Sequence, residues 1–283
     1  MNTEKWIESE LADLRRQYID FSLDYYAKWP AWIEVCNRLY RGEAVDAAES
    51  PEPFRTEHEW MQVILEMDHA GRFDWKDPRI PVLFAKAAKT PYYRIWGDHV
   101  TEIALRLGDR AGARSFIEIG AGKGDLTAVM LEKMRARGKS APIITTDSQE
   151  VVFESSERLQ QAYPEIAQRS FLWNVEGEPP GELLAAIEKP AILYERASLT
   201  YANFRAIRHL PAVADIAVLG DYFNYTGALY TYDKIIEKIG VKTLFYRDLE
   251  PELRSAYANH HIYDFELVEK HGLPYLSLII AWN

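Results

Sequence analysis

Three glycines set two apart, Gly120, Gly122 and Gly124, stand in "IEIGAGKGDLT" between an apolar run and the start of a helical pattern. Glycine adopts backbone angles closed to other residues and lets a ligand come close to the main chain. That spacing at a strand-to-helix junction suits a bound nucleotide-like molecule, and the following helix offers unpaired N–H groups to an anionic part of it. Carboxylates fall near the ends of the apolar runs: Glu118 just before the turn, Asp147 closing "IITTD", Glu195 closing "PAILYE" and Asp221 within "DIAVLGDYF". A carboxylate so placed can accept a pair of hydroxyls or take a proton from an acceptor.

The nucleotide motifs make different demands. A phosphate loop requires Gly-Lys followed by Ser or Thr, yet Gly122-Lys123 is followed by Gly124, and Ile117 stands where that loop needs its first glycine. The dinucleotide fingerprint G-x-G-x-x-G requires a glycine at 125, where the residue is Asp125. The run Glu118-x-Gly120-x-Gly122-x-Gly124 resembles the first motif of the class I S-adenosylmethionine-dependent methyltransferases. The resemblance covers about Trp96 to Asn283, with "PYLSLIIAWN" similar to the antiparallel last strand of that family. It implies S-adenosylmethionine as cofactor, with Gly120, Ala121, Gly122 and Gly124 against its methionine part and Glu118 orienting its amino group. It further implies Asp147 on the ribose hydroxyls, and Trp173 and Asn174 of "FLWNV" on the adenine. A core tryptophan and a turn asparagine are the plain structural alternative for the last two. Asp147 alone does not separate this cofactor from NAD, so an NAD(P)-dependent oxidoreductase stays open, as does a cofactor-binding protein without turnover.

Methyl transfer is displacement at a carbon already activated by the sulfonium, so alignment carries most of the chemistry. A hydroxyl acceptor gains from a base, and Glu195 and Asp221 are the candidate catalytic carboxylates, with His209 a third; a strand-end cap or salt bridge is the alternative for each. "YERASLTY" stands where nucleic-acid amino methyltransferases carry an Asn/Asp-Pro-Pro-aromatic motif, so the expected acceptor is a small molecule, methylated at a hydroxyl oxygen. Tyr222, Phe223, Tyr225, Tyr230 and Tyr232 are candidates for an aromatic acceptor pocket, and Tyr92, Tyr93 or Arg94 for closure over the cofactor. His260-His261 lacks a third ligand at a recognisable spacing and is not read as a metal site; the acidic residues near the site leave open the magnesium that some small-molecule O-methyltransferases use.

The elements that must position these residues are legible in the periodicity. Ile7, Leu11, Leu14, Tyr18, Phe21 and Tyr25 recur at helical spacing, with Trp29-Pro30 as the expected interruption. A helix follows over 31–40, then a loop through "GEAVDAAESPEPFR", and Thr56 with Glu59 has the spacing of a capping box before "WMQVILEM". From Trp96 onward, helix-like stretches alternate with short apolar runs, beginning with "DHVTEIALRLG", which Gly108 is expected to close, and "SFIEIG". That alternation implies an α/β fold, a doubly wound and mostly parallel sheet with an antiparallel C-terminal strand, beside a helical N-terminal region. "HIYDFELVEKHGLPYLSLIIAWN" reads as a terminal hairpin. The division is 1–90, a helical lid or acceptor-binding region, and 91–283, the cofactor-binding methyltransferase domain.

Bulk properties narrow the partners. The 283 residues are 48% hydrophobic and 27% charged, with net charge −10, which disfavours a nucleic-acid partner. The basic run "EKMRARGKS" reads as a helix end. Cys36 is the only cysteine, so no intrachain disulfide forms. No apolar run is of membrane-spanning length, and "MNTEKWIESELADLRRQ" has no signal-peptide core, so a cytoplasmic protein without a membrane partner is expected. The N-terminal helices are the expected surface for a homodimer.

Overall fold

The computed structural model describes residues 3–69, 77–196, 198–199, 204–224, 246–262 and 275–283. Among them a seven-stranded sheet runs in the order β3-β2-β1-β4-β5-β7-β6. Its strands are β1 (Ser115–Ile119), β2 (Ile143–Asp147), β3 (Gln168–Leu172), β4 (Ala191–Arg196), β5 (Ile216–Asn224), β6 (Asn259–Ile262) and β7 (Tyr275–Trp282). The first five are parallel to their neighbours, while β7 lies antiparallel between β5 and β6. The expected doubly wound sheet with its antiparallel C-terminal strand is therefore present, and the expected hairpin is the β6–β7 pair.

Alternation along the strands feeds two cores. Phe116, Ile143, Ile192, Tyr194, Val218 and Ile280 face one side, while Ile117, Ile144, Leu193, Ala217 and Ile279 face the other. The helices α1 (Thr3–Glu10), α2 (Ala12–Ala27), α3 (Trp29–Tyr40), α4 (Arg55–His69), α5 (Arg79–Ala87), α6 (Pro91–Ala111) and α7 (Asp125–Ala136) come before β2 in the chain, and most of their buried residues join the first core. Between β2 and β5 come α8 (Val151–Ala162), α9 (Gly181–Ala186) and α10 (Leu210–Val213). Leu183, Leu210, Val213 and, from a helix over Tyr246–Ala256, Leu253 fill the second core.

Some local expectations changed once packing was in place. The long N-terminal helix breaks at Leu11, whose side chain is nevertheless fully buried, and α3 starts at Trp29 because proline is tolerated in a first helical turn. The capping box belongs to Asp46 and Glu49, around a short 3-10 turn over Ala47–Glu49; Thr56 and Glu59 already lie inside α4. Gly108 does not end a helix. It lies within α6, where a Cβ would sit 2.6 Å from the Phe116 ring, so it allows α6 to pack closely on β1.

The division at residue 90 falls between α5 and α6. Across it, Arg106 on α6 donates to the Glu10 carbonyl at 2.8 Å and pairs with Asp13, and the His99 ring lies 3.3 Å from the Leu14 carbonyl. Glu102 on α6 meets Arg106 at 3.0 Å, Arg137 at 2.6 Å and Lys133 at 3.2 Å, so the basic end of α7 is an ion-paired face. Cys36 is wholly buried, which pushes its thiol well above the usual range. Among the described residues, no helix is long and apolar enough to cross a membrane.

Candidate active site

The glycine turn joins β1 to α7 at the carboxyl end of the sheet, and each of its three glycines has positive φ. They are glycine for different reasons. A Cβ on Gly120 would lie 2.3 Å from Ser198 Oγ, in the segment after β4, and one on Gly124 would lie 2.7 Å from Leu159 Cδ1 on α8. A Cβ on Gly122 would meet nothing within 4 Å. Gly120 and Gly124 thus serve packing, while Gly122 presents bare backbone to open space.

The turn is anchored on several sides. Gly122 N–H donates to Asp147 Oδ2 at 2.9 Å, and Ser155 Oγ on α8 donates to the Gly122 carbonyl at 3.1 Å. Arg158 donates to the Lys123 carbonyl, and Ala121 N–H to the Thr146 carbonyl at 3.0 Å. Asp147 Oδ1 accepts Gln149 N–H at 2.9 Å. Each carboxylate oxygen has two lone pairs, so both keep capacity for a further donor. Asp147 therefore braces the turn from the end of β2, a contact that spacing alone did not indicate.

Glu118 is 2% exposed, on the Phe116 side of β1. Thr127 Oγ1 at 2.8 Å and the Tyr194 hydroxyl at 3.0 Å both donate to its Oε2. Oε1 takes no hydrogen bond among the described residues. Burial raises the Glu118 carboxyl to about 7, against the lowering effect of its two donors and the nearby Arg196 charge. The same burial, with Glu118 beside it, lifts Tyr194 well above the usual phenol value.

Trp173 is buried in the second core and its indole N–H donates to the Gly177 carbonyl at 3.0 Å. Asn174 is exposed, and its Oδ1 accepts Glu176 N–H at 3.2 Å, tightening the turn after β3. Glu195 is fully buried; its Oε2 accepts Ser198 N–H at 2.8 Å and Leu199 N–H at 3.3 Å, and its Oε1 accepts Gly220 N–H at 3.1 Å. His209 stands 3.5 Å from Glu178, two residues before Pro211, whose carbonyl accepts from Lys189 ahead of β4.

Asp221, Tyr222 and Phe223 are placed in β5 by backbone only, and their side chains, like those of Tyr92 and Tyr93, lie outside the described residues. Tyr225, Tyr230 and Tyr232 also lie outside them. The residues that spacing missed are Ser155, Ser198 and Tyr194. Ser198 is 78 positions from Gly120 in the chain, and no local pattern links them.

The family that the glycine motif resembles closes its sheet with an antiparallel last strand, and here β7 lies antiparallel between β5 and β6. The fold is that of the class I methyltransferases. The structure of the citrinin polyketide synthase CMeT domain superposes with a TM-score of 0.61 at 16% identity, over 82% of this chain and 66% of that one. The DszA carbon methyltransferase gives 0.59 at 13% identity, over 81% and 65%. The trans-methyltransferase CalH, solved with SAH, gives 0.51 at 15% identity, over 88% and 72%. This chain thus spans just under two thirds of the length of the first two. No protein-family model matches the sequence, and no curated protein matches it. Within the class I fold, the glycine turn, Glu118 and Asp147 lie where ligands of open α/β sheets sit, beyond the carboxyl ends of the strands.

Proposed function

We propose that this chain is an S-adenosylmethionine-dependent methyltransferase acting on a small molecule, at a hydroxyl oxygen. The observation that carries the reading is Gly122, at positive φ in the strand-to-helix turn, where a side chain would enter open space and whose N–H is held by Asp147 at the neighbouring strand end. The donor set fits the cofactor. Glu118 Oε1, without a hydrogen bond among the described residues, is an acceptor for its ammonium; Asp147 keeps lone pairs for two ribose hydroxyls; Gly120, Ala121, Gly122 and Gly124 admit its methionine part. When bound, the cofactor supplies an electrophilic methyl on a sulfonium. The chain's own residues then orient and exclude: Asp147 and Ser155 hold the turn rigid, and the segment after β4 closes beneath it through Ser198. Trp173 and Asn174 shape the adenine side by fixing the turn after β3, and Asp221 is the carboxylate proposed to meet the acceptor. Alignment of the acceptor with the activated methyl carries most of the proposed chemistry.

Calorimetric titration with S-adenosylmethionine, S-adenosylhomocysteine, NAD and NADP tests this. Binding of the first pair alone supports the reading; binding of a nicotinamide cofactor alone, or of none, overturns it. A carbon acceptor is the second reading, because the two structures with TM-scores of 0.61 and 0.59 are a CMeT domain and a carbon methyltransferase. A 13C-labelled methyl group separates the two by its product shift, methoxy against C-methyl. The protein is proposed to work in the cytoplasm, as its lone buried cysteine suits, and to dimerise through the N-terminal helices, which light scattering checks.

A further inference from the structure

Glu195 has an environment unlike that of a base. Its carboxylate is completely buried on the second-core side of β4 and is engaged by three backbone N–H groups from two different segments. Ser198 and Leu199 belong to the segment leaving β4, and Gly220 to β5, next to a shift in the β5–β7 register between Leu219 and Tyr222. Such an irregularity re-aims the strand that carries it. Gly220 admits no side chain there, since a Cβ would lie 2.9 Å from the Glu195 carbonyl oxygen and 3.2 Å from Val100.

What Glu195 holds leads straight to the glycine turn. Ser198, fixed by its N–H on Glu195, donates through Oγ to the Ile119 carbonyl at 2.9 Å and occupies the space that a Cβ on Gly120 would need. One buried carboxylate therefore ties together the floor of the glycine turn and the point in β5 from which Asp221 follows.

The geometry points to Glu195 as a positioning residue that sets the cofactor-binding turn through Ser198 and the backbone approach of Asp221 through Gly220. This rests on the methyltransferase reading of the same site. The three donors Ser198, Leu199 and Gly220 are backbone N–H groups spread over both oxygens, so glutamine cannot reproduce the carboxylate: its amide nitrogen would face one of them whichever way it turned. A base at this position would show the opposite signature, with turnover lost and cofactor affinity kept.

The experiment is calorimetric titration with S-adenosylhomocysteine of the full chain, its Glu195→Gln and Ser198→Ala variants and the double variant, with amide hydrogen exchange at Ser198 and Gly220 read in parallel. Glu195→Gln should weaken binding by about tenfold or more and speed exchange at both amides. The double variant should bind no worse than the weaker single variant, because both substitutions act on one connection. A folded Glu195→Gln protein with native affinity and native exchange overturns the inference, as do strictly additive losses. If Glu195→Gln does not fold, Ser198→Ala with native affinity overturns it. No binding by the native chain overturns the methyltransferase reading and this inference with it, whereas native binding with an unaffected variant overturns this inference alone.

Discussion

Position 122 separates two costs of a side chain, strain and obstruction. Gly122 has φ of 50° and Gly42, in the N-terminal region, has φ of 79°, and a Cβ on either would meet nothing within 4 Å. Alanine at each should destabilise the fold by a similar ~1 kcal/mol from the left-handed backbone. Gly122→Val should in addition abolish S-adenosylhomocysteine binding, while Gly42→Ala leaves affinity unchanged; calorimetry and thermal melting together check this. Glu118 gives a pH signature. A carboxyl raised from 4.5 to about 7 holds its proton more tightly folded than unfolded, so its contribution favours the fold at low pH and declines as pH rises from 4.5 toward 7. A ligand ammonium prefers the carboxylate, so affinity should instead strengthen as pH rises through about 7 and fall by up to about tenfold per unit below it. Glu118→Gln should flatten that titration curve; an unchanged curve would remove Glu118 from the ammonium.

The pair α6 and α7 illustrates what holds one element at the angle another requires. Burial opposes ionisation of Glu102, yet Arg137, Arg106 and Lys133 outweigh it and bring its carboxyl down to about 2. The sign follows: a depressed carboxyl stabilises the fold above its ordinary value of 4.5, and that contribution is lost as pH falls toward 2. With the cationic partners partly exposed, Glu102→Gln should cost on the order of 1–3 kcal/mol at neutral pH, read by urea denaturation, and almost nothing at about pH 2. Because α7 starts at the glycine turn, the variant should also weaken cofactor binding slightly.

For the molecule as a whole, the first core runs without a break from Ile7, Leu11 and Trp32 through Ile103 and Leu107 to Phe116 and Ile280. Removing residues 1–90 would leave the outer face of α6 without its cover and Arg106 without Asp13 and the Glu10 carbonyl. Residues 91–283 alone should therefore melt well below the full chain or aggregate, as light scattering and calorimetric melting would show. An independent, fully stable 91–283 fragment would make the N-terminal helices an appendage instead.

By itself the sequence determined what is local. The alternation of apolar runs and helical patterns specified the α/β class, the glycine spacing placed the turn between β1 and α7, and "IITTD" put an acid at the neighbouring strand end. Those signals survive because side-chain period and backbone freedom depend on residues a few positions apart. Only the tertiary structure decided that Gly108 lies inside a helix, since the Phe116 ring that demands it arrives after a turn. It also decided that Gly120 answers to Ser198 and Gly124 to Leu159, and that Glu195 spends its oxygens on three backbone donors. Close approach between segments distant in the chain has no sequence period, so it becomes visible only when the sheet brings the strand ends together.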